Sequence, residues 1–471
     1  MLFSSNLFLF RFLPAVLLAY CLLPRKAKNP FLFLCSMLFW FWSSGSVVVV
    51  FLVCFLATYF SGKWIGCGTR SQAKFCLAAV VSFDLLLLAY FKYFSFILEQ
   101  LSPLLGLFHY TLHAPPPVAL PVGISFFIFE AISYPVEIFR KSEAPAKRLS
   151  DFGAYLGLFP HFVAGPIVRY SDVSEKLGDR RVTVEDYFGG VLRFAQGLAK
   201  KVLVADNLAI AADKVFRLSE ADLSTPLAWL GILCYTFQIY YDFSGYSDMA
   251  IGLGKFFGFE FPENFDQPYR SRNITEFWQR WHMSLSFWFR DFLFVPLGAN
   301  RRGELRAYLN LLVVFFLCGL WHGAAWTFVV WGGYHGVLIV LERVFRNRFR
   351  LQMSGVAGNA VTFLLVVVGW VLFRSSSVSA AWKYLGTMFS LKSAVGFQFF
   401  PMSYYLGTDT LLYLVCAICF ALLPIERLRI DRGLGNSGWV AVQGATALLL
   451  IAYSAMVLST SGFHPFIYFR F

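Results

Sequence analysis

One histidine of this chain lies where proton-transfer chemistry could take place. His322 follows the uninterrupted apolar run 311–320, within the segment GLWHGAAW. An imidazole in apolar surroundings stays neutral, which is the form that a general base needs to take a proton from a hydroxyl group attacking an acyl thioester. His322 is therefore a candidate catalytic base. The alternatives are a hydrogen-bonded structural histidine and a member of a proton or ion path.

A continuous helix through His322 would surround it mainly with small side chains. The residues three and four positions away are Cys318, Gly319, Ala325 and Trp326. Three of these four are small, which leaves room for a substrate beside the imidazole. Small residues equally suit close packing of helices in a membrane.

Two carboxylates form a second candidate group. Asp242 and Asp248 lie in the segment YYDFSGYSDM, inside the apolar run 229–251. Ionisable groups within a membrane span are costly unless they face water or a partner, so they mark function by default. The alternative is that they hold helices together.

His282 lies in the segment 277–297, which has the apolar periodicity of one amphipathic helix. We expect this helix to lie along the cytoplasmic membrane interface, with His282 at the border of its apolar face. A simple interfacial anchor would show the same pattern. The residues predicted to share the apolar face are Trp278, Trp281, Leu285, Trp288, Phe289 and Phe292.

Other kinds of site are not indicated. The nine cysteines are scattered, and the C-x-x-C pair Cys416 and Cys419 lies inside an apolar run without a partner pair, so neither a metal site nor a disulfide is expected. The sequence also lacks H-E-x-x-H and G-x-S-x-G motifs and a phosphate-binding glycine loop. His335, in GGYHG, is expected to pack, and His161 could line a cavity.

These residues must be positioned by helices in a membrane. The chain of 471 residues is 58% hydrophobic and 14% charged, and its apolar runs are long enough to cross a bilayer. The formal net charge of +13 comes largely from short loops beside those runs, which is typical of topology signals and not of nucleic-acid binding. The composition predicts an all-α, polytopic membrane protein.

The basic loops also predict an orientation. Clusters at 25–28, 140–148 and 343–350 and the charged stretch 255–306 are placed on the cytoplasmic side, while the loop 99–117, without Lys or Arg, is placed outside. Residues 152–168 are broken by proline and glycine and predict a re-entrant segment. The predicted spans are 7–23, 31–42, 47–60, 75–98, 118–139, 187–212, 229–251, 308–320, 326–341, 361–373, 411–423 and 440–458.

Several long motifs, in order, resemble the membrane-bound O-acyltransferase (MBOAT) family, in its alginate O-acetyltransferase AlgI-like branch. They are the opening MLFSSNLFLFRFLP, then LFPHFVAGPIVRYSD, YYDFSGYSDMAIGLGKFFGF, FWQRWHMSLSFWFRDFLFVPLGANR, GLWHGAAWTFVVWGGYHG and the ending PFIYFRF. The resemblance covers the chain as one membrane domain, 1–471, with N-terminal helices at 7–139, a catalytic core at 150–345 and C-terminal helices at 360–471. It implies helices around a central funnel or tunnel.

The resemblance also implies roles for residues. The family's invariant histidine matches His322, and its second histidine matches His282 as a supporting group. Candidate substrate-binding residues are Trp281, Trp321, Asp242, Asp248 and Arg280.

The same resemblance implies O-acetylation of an exported polysaccharide such as alginate, in the bacterial inner membrane. Acetyl-CoA is the expected cytoplasmic donor, and no bound cofactor or metal is expected. Periplasmic acetyltransferase or esterase-like proteins and a polysaccharide secretion complex are the expected partners. Arginines that could meet the donor's phosphates, or could be topology charges, are Arg270, Arg272, Arg280, Arg301 and Arg302.

Two other functions remain open from the sequence. One is D-alanyl transfer to teichoic acid from an acyl carrier protein. The other is a transporter that uses Asp242, Asp248 and His322 as a proton relay.

Overall fold

The structure is a computed structural model and describes residues 3–107, 120–301, 303–351, 353–391, 402–423, 436–460 and 466–467. Within these ranges the chain is helical, and its only β-type pairing is an isolated bridge between Phe265 and Trp281. The all-α prediction is confirmed. Contacts divide the chain into two compact units, an N-terminal unit (Met1–Phe194 and Ser247–Pro262) and a C-terminal unit (Ala195–Tyr246 and Glu263–Phe471). The single-domain assignment stays a prediction.

In the described part of the chain, the N-terminal unit contains the last third of the helix Thr225–Phe256 and ten helices that precede it. They are α1 (Leu13–Leu22), α2 (Arg25–Ser44), α3 (Val48–Cys67), α4 (Arg70–Leu88), α5 (Phe94–Gly106), α6 (Ile124–Arg140), α7 (Leu149–Leu156), α8 (Phe159–Phe162), α9 (Tyr170–Gly178) and most of α10 (Val184–Ala199).

The C-terminal unit holds the candidate catalytic residues. Its described helices are α11 (Asp206–Phe216), the first two thirds of α12 (Thr225–Phe256), α13 (Ile274–Arg280), α14 (Met283–Phe289), α15 (Glu304–His322), α16 (Trp326–Phe349), α17 (Gly355–Arg374), α18 (Val378–Phe389), α19 (Met402–Tyr405), α20 (Thr408–Leu422) and α21 (Asn436–Thr460).

Six helical stretches in the described residues are long and apolar enough to cross a membrane. They are Val48–Cys67, Arg70–Gly106, Glu304–His322, Trp326–Phe349, Gly355–Arg374 and Ser437–Thr460. The chain is thus a multi-pass membrane protein. The runs 187–212 and 229–251 contain buried charges and are not among the six, so their assignment as spans stays a prediction.

The segment 152–168 has the irregular backbone that its prolines and glycines predict. It consists of α7, α8 and an extended stretch, and every residue in it is buried in protein. His161 does not line an open cavity here, because its two ring nitrogens lie 3.0 Å from Glu130 Oε1 and 3.0 Å from the Tyr155 carbonyl oxygen. Glu130 also accepts a hydrogen bond from the Val168 backbone N–H at 2.9 Å. This histidine therefore holds the segment together.

The segment 277–297 is not one interfacial helix, and that prediction is wrong. The backbone breaks between α13 and α14, where His282 has the left-handed conformation φ 46°, ψ 54°. At the break, residues 264 and 266 provide hydrogen-bond partners in place of those within a continuous helix. The Asp266 N–H donates to the Arg280 carbonyl, and the Met283 N–H donates to the Asn264 carbonyl. Five of the six residues of the predicted apolar face are also buried in protein, and Phe292 is partly exposed.

Two glycines allow α15 and α16 to form a tight antiparallel hairpin. A Cβ on Gly319 would lie 2.3 Å from the Phe328 carbonyl oxygen, and one on Gly332 would lie 2.3 Å from the Phe315 carbonyl oxygen. Only hydrogen is small enough at both positions, so the backbones approach closely, as small residues permit in membrane helices. The hairpin fixes His322 at the last position of α15.

Candidate active site

The tautomer of His322 is set by its own helix. The ring is buried, at 4% exposure, and Nδ1 lies 2.7 Å from the Cys318 carbonyl oxygen. A carbonyl oxygen only accepts, so Nδ1 carries the proton and donates it. In the neutral ring, the lone pair is therefore on Nε2. This is the arrangement of a general base whose second nitrogen is oriented by a fixed acceptor.

Aromatic rings surround His322, which corrects the expectation of small neighbours. Its ring centroid lies 5.0 Å from that of Trp321, 4.9 Å from Trp331 and 5.4 Å from Phe373. Ala325 and Trp326 do not follow His322 on the same helix, because α15 ends there and Gly323 is extended. The imidazole is thus held rigidly in an apolar aromatic pocket.

His282 is brought to the same cluster. It is 1% exposed, and its ring centroid lies 5.8 Å from that of Trp321, so Trp321 packs against both histidines. His282 Nδ1 lies 3.1 Å from Asn264 Oδ1, which also accepts the Ser284 hydroxyl at 2.8 Å. Nδ1 of this histidine is therefore a donor as well. Burial, with a smaller contribution from His322, lowers the pKa of His282 well below its ordinary value.

Acidification is expected to destabilise the protein through His282, which lies outside the six possible spans. Because the pKa of His282 is depressed in the folded state, this residue binds a proton in the unfolded chain at pH values at which it stays neutral in the folded protein. The free energy of unfolding should be constant above the ordinary histidine pKa and should fall below it, by up to about 1.4 kcal/mol per pH unit.

Denaturant unfolding in detergent, from about pH 7.5 to pH 5, measures this slope. His282→Gln removes the titrating group and should give a shallower dependence on pH. Identical slopes for the two proteins would contradict a depressed pKa at this residue.

Trp281 and Arg280 have different surroundings. Trp281 packs inside the C-terminal unit, with ring centroids 4.8 Å from Trp370 and 5.1 Å from Phe265. Arg280 is partly exposed and forms ion pairs with Glu276 at 3.0 Å and Asp266 at 3.2 Å. Trp281 thus belongs to the aromatic cluster of the site, whereas the Arg280 guanidinium is held by two carboxylates.

Asp242 belongs to a buried charge cluster of the C-terminal unit. The Lys201 ammonium, in a residue 1% exposed, lies 2.6 Å from Asp242 and 2.7 Å from Asp206. The second oxygen of Asp242 accepts the Ile467 backbone N–H at 2.8 Å. This carboxylate therefore ties the last described residues to α12, which supports the structural alternative.

Asp248 lies in the N-terminal unit and has its own partner. Its Oδ1 lies 2.8 Å from Nη2 and 2.8 Å from Nε of Arg193. Two donors of one guanidinium that bind a mostly buried carboxylate form a strong, specific ion pair. This contact likewise supports a structural role.

The other candidate arginines fall into two groups. Arg270, Arg272 and Arg301 lie in the described residues, and Arg270 donates to Gln267. Arg302 lies outside the described residues. Their contact with a donor stays a prediction.

His335 is a residue whose surroundings the sequence did not reveal. It is fully buried, with ring centroids 5.1 Å from Trp278 and 5.2 Å from Trp331. Neither ring nitrogen has a hydrogen-bond partner among the residues that the structure describes. The absence of a Cβ on Gly369 makes room for it, because that atom would lie 2.7 Å from His335 Nε2. The predicted packing role fits these contacts.

An apolar cavity of about 470 Å³ is lined in part by Cys318, the residue whose carbonyl accepts the His322 hydrogen bond. It lies among α13, α14, α15 and α16, and its wall includes Trp278, Leu285, Phe315 and Cys318. No group of three or more potential metal ligands occurs within the described ranges. The cavity thus lies beside α15 about one turn before His322.

Comparison with known proteins decides the class of enzyme. The model of the membrane-bound O-acyltransferase family matches residues 34–382. This chain belongs to that family. The MBOAT match runs from within α2 to within α18 and includes both cluster histidines, His282 and His322. The chain is therefore an O-acyltransferase of the membrane.

Relatives of this MBOAT protein act on different acceptors. The chain is 40% identical, over the full length of both proteins, to the "Probable alginate O-acetylase AlgI" of Azotobacter vinelandii. It is 34% identical to the "Peptidoglycan O-acetyltransferase" of Helicobacter pylori, over 83% of this chain and 80% of the relative. It is 31% identical to the "Teichoic acid D-alanyltransferase" of Bacillus subtilis, over 58% of this chain and 70% of the relative.

Proposed function

We propose that this protein passes an acetyl group from cytoplasmic acetyl-CoA across the membrane for the O-acetylation of an exported polysaccharide, with His322 as the general base. The observation that carries the proposal is the hydrogen bond from His322 Nδ1 to the Cys318 carbonyl, which leaves the lone pair on Nε2. Relatives named as O-acetylases over the whole chain support acetyl as the group.

One histidine can both accept and return the proton that this reaction transfers. His322 Nε2 takes the proton of the acceptor hydroxyl while the hydroxyl oxygen attacks the thioester carbonyl. The C–S bond then breaks, and the imidazolium returns the proton to the thiolate, which leaves as CoA with a free thiol. Such positioned proton transfer contributes typically about 10²–10⁴ in rate. His282, held by Asn264 beside Trp321, stays neutral and orients the reacting groups.

Alginate is the first candidate polymer, since relatives that match the full length of the chain carry that name. The bacterial inner membrane is the proposed location. We expect periplasmic acetyltransferase or esterase-like partners and a polysaccharide secretion complex to complete the transfer. D-alanyl transfer to teichoic acid is the second candidate, supported by a relative that matches a shorter part of the chain.

The donor can be tested with protein purified in detergent. Acetyl-CoA is expected to bind and to be cleaved slowly at its thioester, because water can take the place of the acceptor hydroxyl. Release of free CoA thiol measures this reaction, and an acylated carrier protein is tested beside it. Cleavage of the acylated carrier protein, without any interaction with acetyl-CoA, would favour the D-alanyl alternative.

A further inference from the structure

A basic cavity lies in the N-terminal unit, which contains neither His282 nor His322. Its volume is about 320 Å³, and its wall is formed by the start of α2, the residues just before α7 and the end of α9 with the residues that follow it. Six cations and two carboxylates line it, so positive charge is in excess. The cations are Arg25, Lys26, Lys28, Lys147, Arg148 and Arg180.

Three exposed cations of the lining have no counter-ion within the protein. Lys26, Lys147 and Arg148 are exposed, and none of them forms an ion pair with a residue in the described ranges. Arg25 is different, because its Nη1 lies 3.1 Å from Asp179 Oδ1. The positive charges of the other three therefore remain available to an anion from outside the protein.

A buried guanidinium of the lining is not neutralised either. Arg180 is 9% exposed, and its hydrogen bonds go to uncharged acceptors, the shortest to Asn29 Oδ1 at 2.6 Å and to the Phe257 carbonyl oxygen at 2.7 Å. The carboxylate of Asp151 accepts a hydrogen bond from Asn29 Nδ2 at 2.7 Å and forms no ion pair with Arg180. Buried charges are normally paired, because an isolated charge is costly away from water. An anion in the cavity would supply the missing countercharge.

The cavity lies beside the end of a possible membrane span. Lys63, near the end of α3, donates to the Lys147 carbonyl at 3.2 Å, and α3 is one of the six long apolar stretches. Trp64 is 73% exposed, and tryptophans concentrate at the interface between membrane and water. The clusters 25–28 and 140–148, which both contribute to the cavity, are the ones that the basic loops place in the cytoplasm. The cavity is therefore expected at the cytoplasmic surface of the membrane.

Exposed apolar side chains on α1 and α2 indicate which anion would reach this cavity. Leu22 is 78% exposed, three residues before Arg25, and Leu34 and Leu38 are each 59% exposed. In a protein that crosses a membrane, such side chains contact the acyl chains of lipids. Cations next to a lipid-facing apolar surface match the phosphodiester and the acyl chains of one anionic phospholipid. A soluble phosphate would use the cations alone.

We propose that this cavity binds the phosphodiester of an anionic phospholipid in the cytoplasmic leaflet, through Lys26, Lys147 and Arg148. Arg180 adds a fixed positive charge in the wall. The bound lipid connects the start of α2 with the residues before α7, two basic clusters that are distant in sequence. This inference is independent of the proposed function, because it concerns another site and another ligand.

The test is equilibrium binding of phosphatidylglycerol to the purified protein in a neutral detergent. Phosphatidylcholine with the same acyl chains should bind more weakly, because its headgroup carries no net charge. The triple variant Lys26→Gln, Lys147→Gln and Arg148→Gln is expected to bind phosphatidylglycerol about tenfold more weakly than the wild type. Its three side chains are exposed, so the variant should unfold at the same temperature as the wild type when no lipid is added.

A matched variant removes three exposed arginines from another basic cluster, with Arg346→Gln, Arg348→Gln and Arg350→Gln. It should bind phosphatidylglycerol as the wild type does, which separates a defined site from the general attraction between a basic protein and an anionic lipid. Equal affinity of the wild type for the two lipids would overturn the inference. Unchanged affinity in the first triple variant, or the same loss in both variants, would overturn it as well.

Competition distinguishes the lipid from a soluble phosphate. CoA is added to the protein with bound phosphatidylglycerol, and sodium chloride of the same ionic strength is added to a second sample. The two solutions should displace the lipid to the same extent. Stronger displacement by CoA would assign the cavity to the phosphates of a soluble molecule and would overturn the lipid site.

Discussion

Replacing His322 with alanine is expected to reduce the rate of acyl transfer by about 10²–10⁴, while binding of the acyl donor is retained. The Nε2 lone pair is removed, so nothing at this position takes the proton of the acceptor hydroxyl. The donor should still bind, because the substitution removes the imidazole alone and leaves all other side chains in place. The measurement is the turnover number compared with the dissociation constant of the donor.

A glutamine at the same position separates chemistry from structure. The side chain of His322→Gln can still donate to the Cys318 carbonyl, which preserves the hydrogen bond at the end of α15. It offers no base, so this variant should fold like the wild type and be nearly as inactive as His322→Ala. Wild-type turnover in His322→Gln would show that the histidine is structural.

Replacing Lys201 with methionine is expected to have the largest effect on stability. The buried carboxylate of Asp242 and the mostly buried carboxylate of Asp206 lose the ammonium group that they share. Breaking a buried ion pair by removing one partner costs about 3–5 kcal/mol, because the remaining charge is desolvated and unpaired. The link from Asp242 to the backbone at Ile467 should weaken as well. The midpoint of unfolding in detergent measures the loss.

Two comparisons make this result specific. Arg25 and Asp179 form an ion pair whose side chains are 60% and 64% exposed, so Arg25→Met should change stability little. Adding Asp242→Asn to Lys201→Met removes one unpaired charge and should recover part of the lost stability. If Lys201→Met were as stable as Arg25→Met, the buried cluster would not be a structural element.

The sequence predicted the helical class and the position of His322 well, because these depend on local patterns. Long apolar runs become membrane helices regardless of their partners, and α15 and α16 contain the predicted runs 308–320 and 326–341. The end of α15 could also have been predicted, since a glycine directly after His322 is a helix stop signal. A helix continued past Gly323 wrongly places Ala325 and Trp326 beside His322.

The surroundings of His282 could not be predicted from local patterns. The apolar period of a helix continues through 277–297, but the break at His282 depends on hydrogen bonds from 264–266. The partners of Asp242 and Asp248 are also distant in sequence: Lys201 lies 41 residues away from Asp242, and Arg193 lies 55 residues away from Asp248. Periodicity carries no information about such contacts.

The most direct test of the central claim is mass spectrometry of the envelope polysaccharides of cells that carry this protein, lack it, or carry His322→Gln. It identifies the acyl group and the acceptor together. We expect acetyl esters on the polymer with the wild-type protein and their loss in the other two strains, with the variant present in the membrane at a normal level. Full acetylation with the variant, or no difference between cells with and without the protein, would contradict catalysis by His322.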